Sequence, residues 1–459
     1  MRYSITFAED DYCSLAEHLH QPGGVEQGAY LLCGLSITES ESRLLVQEAI
    51  PVRREEVIST SSGHMEIAPQ SFMRAMKRAD TRHLSFVFVH SHPYGPAGHS
   101  PQDDITEPSL FRTAYTRISG RTIHASIVSS GLDQPQARVW HTDGSTSPVD
   151  VVRVIGNRFR YFRPISTNNS SLEIFDRQVR AFGAEIQQLL ATLHISLVGN
   201  GGTGSAVGEQ LVRLGVGRLS LFEGQTLDAS NVTRVYGSRL TDVDQPKVRI
   251  IERIAKEIGL GTQVTLFPKH ITNSETAKAL RDCDLIFGCT DDEWGRSILS
   301  KLAIDYYIPV FDMGVKIDSK GGSIVSVQGR VTSLLPGAAC LFCRGRITAE
   351  GVRTQVIESC NPEQAEELRR QQYAPELEGN APAVIAFTSA VASTAVSELL
   401  HRLTGFMGPD RVSSEVIHFF DQSRMRTNHL SPAHDCYCGD KERWGLGDQQ
   451  PFLGILWQE

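Results

Sequence analysis

The chain has 459 residues, 40% hydrophobic and 21% charged, with a formal net charge of −8. That length exceeds one ordinary core and predicts two or three globular domains. The acid excess, without any Lys/Arg block, argues against a nucleic-acid partner, and no apolar run approaches the roughly 20 residues that span a bilayer. The opening residues, Met1-Arg2-Tyr3-Ser4-Ile5-Thr6-Phe7, lack a signal-peptide core, which predicts a cytoplasmic location. Nine cysteines, an odd number, point away from a disulfide framework and toward metal or thiol chemistry.

In chain order, residues 1–155 read as an α+β domain, with strand-like runs at Leu31–Leu35, Arg43–Ile50, Leu84–Val89 and Ala125–Ser129. Pro69–Ala79 has helical spacing. The third run leads into His90-Ser91-His92. On a strand, residues two apart face the same side, so both imidazoles can reach one ion. Ser100-Pro101-Gln102-Asp103 reads as a helix start, with Ser as cap and Pro at the first position, which sets Asp103 in the first turn beside Ser100. Two His, one Asp and an open fourth position make a catalytic zinc arrangement, because a structural site is closed by four protein ligands. A zinc held this way acidifies a water and polarises a scissile carbonyl.

These residues follow the pattern His-x-His, seven residues, Ser, two residues, Asp. Over about the first 130 residues the chain resembles the JAMM (MPN-plus, JAB) metallo-isopeptidases. The resemblance implies His90, His92 and Asp103 as zinc ligands and Ser100 as a hydrogen-bonding aid to the tetrahedral intermediate. The family's general base, a Glu just before a Gly-rich apolar strand, falls on Glu26 in Val25-Glu26-Gln27-Gly28. The interval from Glu26 to Gly34 is one residue longer than the family's pattern. Glu39 and Glu48, placed after the strand, are weaker rivals.

Residues 156–171, including the polar stretch Pro164–Ser171, read as a linker. From 172 to 440 the rhythm alternates strand and helix, with strands at Ile195–Val198, Leu219–Phe222, Val264–Phe267, Leu285–Gly288 and Val310–Met313. A final helix is expected at Ala383–Leu400. This predicts an α/β, Rossmann-like domain with a mostly parallel, doubly wound sheet. Residues 441–459 read as a C-terminal tail.

Gly199-x-Gly201-x-x-Gly204, with Gly202 inside it, follows a strand and opens a helix at Ser205–Leu214, the context of a phosphate-binding turn. By itself the pattern equally suits a nicotinamide cofactor. Glu223, at the end of the next strand, suits ribose hydroxyls in either case. Asn231, Arg234, Lys247 and Asp291 are polar residues for which a dehydrogenase fingerprint has no use.

Together with Arg177-Gln178, Asn231-Val232-Thr233-Arg234, Gln245-Pro246-Lys247 and Cys289-Thr290-Asp291-Asp292, they resemble the ThiF/MoeB and ubiquitin-activating (HesA-type) enzymes over residues 172–440. The resemblance implies adenylation of a protein carboxylate with ATP and Mg²⁺. Lys247 and Arg234 then offset phosphate charge, Asp291 holds Mg²⁺, and Asn231 positions the phosphates or the metal. Arg177 is implied to reach across a homodimer formed through this domain. Two departures stand out: Glu223-Gly224-Gln225 replaces the family's Asp-x-Asp, and Val235 replaces a Gln.

Cys340-Leu341-Phe342-Cys343 and Cys436-Tyr437-Cys438 form two thiol pairs suited to a closed structural zinc site. The second pair is Cys-x-Cys, and His434 can replace one ligand. The family's thioester-forming cysteine falls on Cys360. Cys13, Cys33, Cys283 and Cys289 lie in or beside apolar segments and read as structural.

A fusion of these two domains implies, as in bacterial ubiquitin-like modification and antiviral-defence systems, a dual enzyme for a ubiquitin-like β-grasp protein. One domain cleaves at the modifier's C-terminal tail; the other adenylates that C-terminus and loads it on Cys360 for a conjugating enzyme. Two alternatives stay open: activation of a sulfur-carrier protein for thiocarboxylate formation, and a scaffold with an inactive peptidase domain.

Overall fold

The computed structural model describes residues 1–94, 98–120, 123–130, 135–163, 173–360, 382–455 and 457, apart from the side chain of residue 360. Among them no helix is long and apolar enough to cross a membrane. The chain forms two compact units: Met1–Thr167 with Asp305–Tyr307 and Lys441–Gln449, and the remainder. The first unit contains β1 (Arg2–Ala8), α1 (Glu9–Leu19), β2 (Gly28–Ile37), β3 (Glu41–Pro51), β4 (Val57–Thr60), β5 (Met65–Ile67) and α2 (Pro69–Thr81). It continues through β6 (Ser85–Ser91), α3 (Pro101–Arg117), β7 (His124–Ser129), β8 (Pro135–Trp140), β9 (Thr146–Pro148), β10 (Val151–Ile155) and β11 (Arg160–Phe162).

Nine of these strands form one sheet in the order β11-β10-β1-β3-β2-β6-β7-β8-β9, with β4 and β5 as a separate ribbon. The middle of β2 is almost wholly apolar because both its faces are covered. Leu31 and Cys33 pack with Tyr12, Leu15 and Leu19 of α1. Tyr30 and Leu32 pack on the other face with Met76 of α2 and Phe111 of α3. Arg160–Phe162, inside the segment expected to be linker, pairs antiparallel with β10; residues 164–171 of that segment lie outside the described residues. Part of the expected C-terminal tail belongs to the first unit, where Gly447 bridges Leu35 and Asp448 Oδ2 accepts from the Ile37 N–H at 2.8 Å.

The second unit runs α4 (Asp176–Phe182), α5 (Ala184–Thr192), β12 (His194–Val198), α6 (Gly202–Arg213), β13 (Arg218–Phe222), α7 (Val248–Ile258), β14 (Gln263–Phe267) and α8 (Ser274–Ala279). Then come β15 (Leu285–Gly288), α9 (Glu293–Asp305), β16 (Val310–Lys320), β17 (Ser323–Leu334), α10 (Ala349–Cys360), α11 (Ile385–Thr404), β18 (Glu415–Phe419) and β19 (Arg424–Asn428). Five parallel strands, in the order β14-β13-β12-β15-β16, continue into antiparallel β17-β18-β19. The sheet is thus mostly parallel on the side where the glycine turn lies. The chain leaves β12 toward β13 and returns on the other flank as β15, which opens a crevice at the carboxyl end of β12.

The expected strand at Val310–Met313 extends to Lys320 in a long hairpin with β17. Its added residues are mostly exposed and carry no apolar signal; Gly321 and Gly322, both at positive φ, make the two-residue turn that joins the strands.

Between β1, β3 and β10 lies a buried charge cluster. Glu41 is 2% exposed and meets Arg2 at 2.6 Å, Arg43 at 3.0 Å and Arg153 at 2.8 Å. Burial opposes its ionisation, but the charges of Arg153, Arg43 and Arg2 hold the carboxyl well below its ordinary value. A group depressed in the fold stabilises above its unfolded pKa and loses that contribution as pH falls toward the folded value. Glu41→Gln should therefore cost roughly 3–5 kcal/mol at pH 7, as expected when one partner of a buried ionic cluster is removed. Urea unfolding of both proteins should show the gap closing as the pH is lowered below about 4.3, the usual Glu value.

Candidate functional site

In the first unit, Gly28 of β2 pairs with His90 of β6 in antiparallel register, and the Ser91 N–H continues the ladder to the Gln27 carbonyl at 2.9 Å. This register sets Glu26 beside His92. His90 and His92 bring their Nε2 atoms to 3.1 Å. His90 Nε2 lies 3.1 Å from Asp103 Oδ1, and His92 Nε2 lies 3.7 Å from Asp103 Oδ2 and 4.0 Å from Glu26 Oε1. A tetrahedral zinc with bonds of about 2.0–2.1 Å spaces its ligand atoms about 3.3 Å apart, so the three ligand side chains fit one ion.

Ser100 caps α3. Its Oγ–H donates to Asp103 Oδ2 at 2.8 Å, its own N–H donates to the same oxygen at 2.6 Å, and the Asp103 N–H returns to Ser100 Oγ at 3.3 Å. The hydroxyl expected to assist a reaction intermediate is thus engaged in orienting Asp103. Burial opposes ionisation of Asp103, yet the hydrogen bond and charge of His90 and the bonds from Ser100 hold it below the carboxylate range. Burial pushes the Glu26 carboxyl up, with the charge of His90 opposing. Glu48 is committed to Arg78 and Arg82 at 2.8 and 2.9 Å, and Glu39 is exposed, which leaves Glu26 as the carboxylate at the triad. A cleft of about 420 Å³ opens on these groups, walled by Met65, Ile67, Phe72, Met73, Met76 and Phe88.

In the second unit, the turn after β12 needs its glycines. Gly199 has φ +86°, and a Cβ on Gly204 would lie 1.9 Å from the Gly199 carbonyl oxygen. Gly201 faces open space and Gly202 begins α6, so the first N–H groups of the helix point into the crevice. A hydrogen-bond chain leads outward from the turn. The Asn200 N–H donates to Glu223 Oε2 at 3.1 Å, the Gln225 N–H to Glu223 Oε1 at 2.9 Å, and Lys247 Nζ to Gln225 Oε1 at 2.8 Å. Lys247 is 6% exposed and has no ion pair among the described residues. Arg234 also lacks one, and its Cγ lies 3.4 Å from the place of a Gly202 Cβ. Asn231 is buried, and its carbonyl accepts from the Arg234 N–H at 3.0 Å.

The Cys289–Thr290 backbone packs on Gly199, which places Asp291, exposed, two residues from the turn. Arg177 is exposed on α4 and has no hydrogen bond or ion pair among the described residues; nothing within this unit joins it to the turn. The Cys360 side chain lies outside the described residues.

The four paired cysteines converge. Cys340 Sγ lies 3.8 Å from Cys343 Sγ and 3.5 Å from Cys436 Sγ, and Cys343 Sγ lies 3.5 Å from Cys438 Sγ. Tetrahedral zinc with bonds of about 2.3 Å spaces thiolates about 3.8 Å apart, so this donor set fits zinc. Hydrogen bonding from Cys438 pulls the Cys340 thiol down despite burial. His434 is exposed and outside the cluster, so the Cys-x-Cys spacing is sufficient.

Residues 175–439, more than half of the chain, match the ThiF family. The chain belongs to the ThiF family. It is similar to the molybdopterin-synthase adenylyltransferase of Escherichia coli (strain K12), 26% identical over 186 residues that cover 40% of this chain and 71% of that protein. It is also similar to the sulfur carrier protein adenylyltransferase of Thermus thermophilus, 28% identical over 122 residues, 27% of this chain and 45% of that one. The structure of E. coli MccB with MccA-N7isoASN aligns with a TM-score of 0.47 and 16% identity, covering 60% of this chain and 76% of that chain.

Two features of this ThiF-family chain were not anticipated. Gln225, noted only as a departure from Asp-x-Asp, is the hydrogen-bond partner of Lys247. Glu107, buried near the metal triad, follows Asp103 by one helical turn, a spacing that alone could have drawn attention to it. Cys343→Ser should lower zinc by one equivalent per chain, read by plasma mass spectrometry, and reduce the melting temperature of the protein, because a closed thiolate site contributes folding energy directly.

Proposed function

We propose that this chain activates a ubiquitin-like or sulfur-carrier β-grasp protein with Mg·ATP in its second unit and hydrolyses a bond at that protein's C-terminal tail in its first. The observation that carries the first part is Lys247. A buried ammonium with no ion pair among the described residues, tied by hydrogen bonds to a glycine turn and a helix N-terminus, is a site waiting for an anion. ATP supplies that anion. The carrier's terminal carboxylate oxygen attacks the α-phosphorus, the bond to the β-phosphate oxygen breaks, and pyrophosphate leaves. Lys247 and Arg234 offset the charge that builds on the phosphates, while Asn231 and Glu223 fix the nucleotide and Asp291 would hold Mg²⁺. Arg177, exposed and without an ion pair among the described residues, suits reaching the crevice of a second copy in a homodimer. A Cys360 thiolate would then take the acyl group, with AMP as the leaving group, and pass it to a conjugating enzyme.

The triad of His90, His92 and Asp103 supports the hydrolytic part. A zinc ion at these residues would supply Lewis acidity toward a scissile carbonyl and toward water. Glu26, buried beside His92 and raised in pKa, suits taking a proton from water and returning it to the leaving amine. Ser100 holds Asp103 in place and keeps a hydroxyl at the same spot. The paired cysteines 340, 343, 436 and 438 would hold a second, structural zinc. The names of the related adenylyltransferases, a sulfur carrier protein adenylyltransferase among them, favour the sulfur-carrier reading of the carrier protein, in which the adenylate becomes a thiocarboxylate.

With the cognate carrier, the chain should catalyse ATP–pyrophosphate exchange, and Lys247→Ala should lower the rate by about 10²–10³, the usual loss for a transition-state charge contact. Exchange that survives this change would overturn the assignment of the nucleotide site. A reducible carrier adduct lost in Cys360→Ala supports thioester transfer, whereas sulfide incorporation without any adduct supports the sulfur-carrier route. On a carrier extended at its C-terminus, Glu26→Gln should reduce cleavage at least about 100-fold with zinc content unchanged. Full cleavage by that variant would remove Glu26 from the mechanism.

A further inference from the structure

Behind the metal triad lies a second polar cluster on α3, β7 and β8. Glu107 follows Asp103 by one turn, so both carboxylates project from one face of α3. The Glu107 side chain is 2% exposed. Its Oε2 alone accepts from Ser126 Oγ at 2.6 Å, Arg138 Nε at 3.0 Å, Arg138 Nη2 at 2.8 Å and Trp140 Nε1 at 3.1 Å. Its Oε1 is buried and accepts from no group among the described residues, with His99 Nε2 held off at 3.9 Å. A buried carboxylate oxygen left bare while its twin takes four contacts calls for a donor.

A matching donor lies in the same region. His90 turns Nε2 toward His92 and Asp103, so Nδ1 must carry the ring proton whenever Nε2 binds a metal. That Nδ1 is buried and has no partner among the described residues. Ser126 pairs with Phe88, two residues before His90 on β6, so His90 and the partners of Glu107 share one sheet face. Both His90 and Glu107 line the cleft, their nitrogen and oxygen atoms lie more than 4.0 Å apart, and the charge of His90 acts on Glu107. Metal-ligating histidines commonly donate their second N–H to a carboxylate, which fixes tautomer and ring orientation. We propose that, when His90 Nε2 is metal-bound, Glu107 Oε1 becomes the acceptor for His90 Nδ1–H, a positioning residue that holds this ligand in its metal-binding tautomer. The inference rests on the zinc-hydrolase reading of the first unit.

The test uses the full chain, native and Glu107→Gln, with zinc affinity read by chelator competition against Cys343→Ser and His90→Ala controls that separate the two metal sites. The expected result is a 10- to 100-fold weaker first-unit site in the Gln variant, the usual effect of losing such a partner. Long-range ¹H–¹⁵N NMR of the native, zinc-loaded chain should show His90 protonated at Nδ1 in a strong hydrogen bond, a measurement that stands even if the variant folds poorly. An unchanged affinity in Glu107→Gln, or a native His90 Nδ1–H without a strong hydrogen bond, would overturn the role of Glu107 alone. A native chain that binds no zinc at His90 would overturn the hydrolase reading and this inference with it.

Discussion

Backbone register, set by hydrogen bonds in which no side chain takes part, decides which side chains meet in each unit. Pairing of Gly28 with His90 brings a residue just before one strand to a residue just after another. A slip of one residue would turn Glu26 to the opposite face. In the second unit the parallel pairing of Val198 with Gly288 does the same work, bringing the Cys289–Thr290 backbone against the glycine turn. Each candidate site forms where a ladder ends, because there the strand is free to release side chains and amide groups into a cleft.

The buried charges fall into two kinds, and partnership distinguishes them. Glu41 is surrounded by Arg2, Arg43 and Arg153, and Asp312 by Arg296 at 3.2 Å and Arg330. In those clusters each carboxylate is held by two or more guanidinium groups, which makes them part of the scaffold. Lys247 is buried without an ion pair among the described residues, and Glu26 is buried with only His92 Nε2, at 4.0 Å, beside it. Keeping such groups buried costs free energy that a bound phosphate or metal would offset. Both candidate sites are therefore places where the fold is electrostatically incomplete by itself.

Apolar pattern and motif spacing reveal different amounts. β2, β6, β7 and the parallel strands β12, β13 and β15 are legible because their sides are buried and their sequences are rich in Leu, Ile, Val and Phe. β1 is harder to read, since Ser4 and Thr6 look solvent-facing but turn into the polar surroundings of Glu41. The extension of β16 beyond Met313 and the strands β8, β9 and β11 lie at sheet edges or in hairpins, where backbone pairing holds the strand with little hydrophobic signature. The metal triad and the glycine turn are legible for another reason: their residues lie close in sequence, so local geometry alone brings them together.

The order of residues by itself determined the candidate ligand group His90, His92 and Asp103, the capped helix start at Ser100, the turn from Gly199 to Gly204 and the two cysteine pairs, because each is written within about a dozen residues. Only the tertiary structure decided what those local pieces meet. It set Glu26, and neither Glu39 nor Glu48, beside His92, joined Lys247 to Gln225 and Glu223, and closed the four thiols into one cluster across nearly a hundred residues. It also set Glu107, one turn beyond Asp103, among Ser126, Arg138 and Trp140. The reason is physical: partners far apart in the chain are selected by strand register and burial, and neither is expressed in the spacing of the residues themselves.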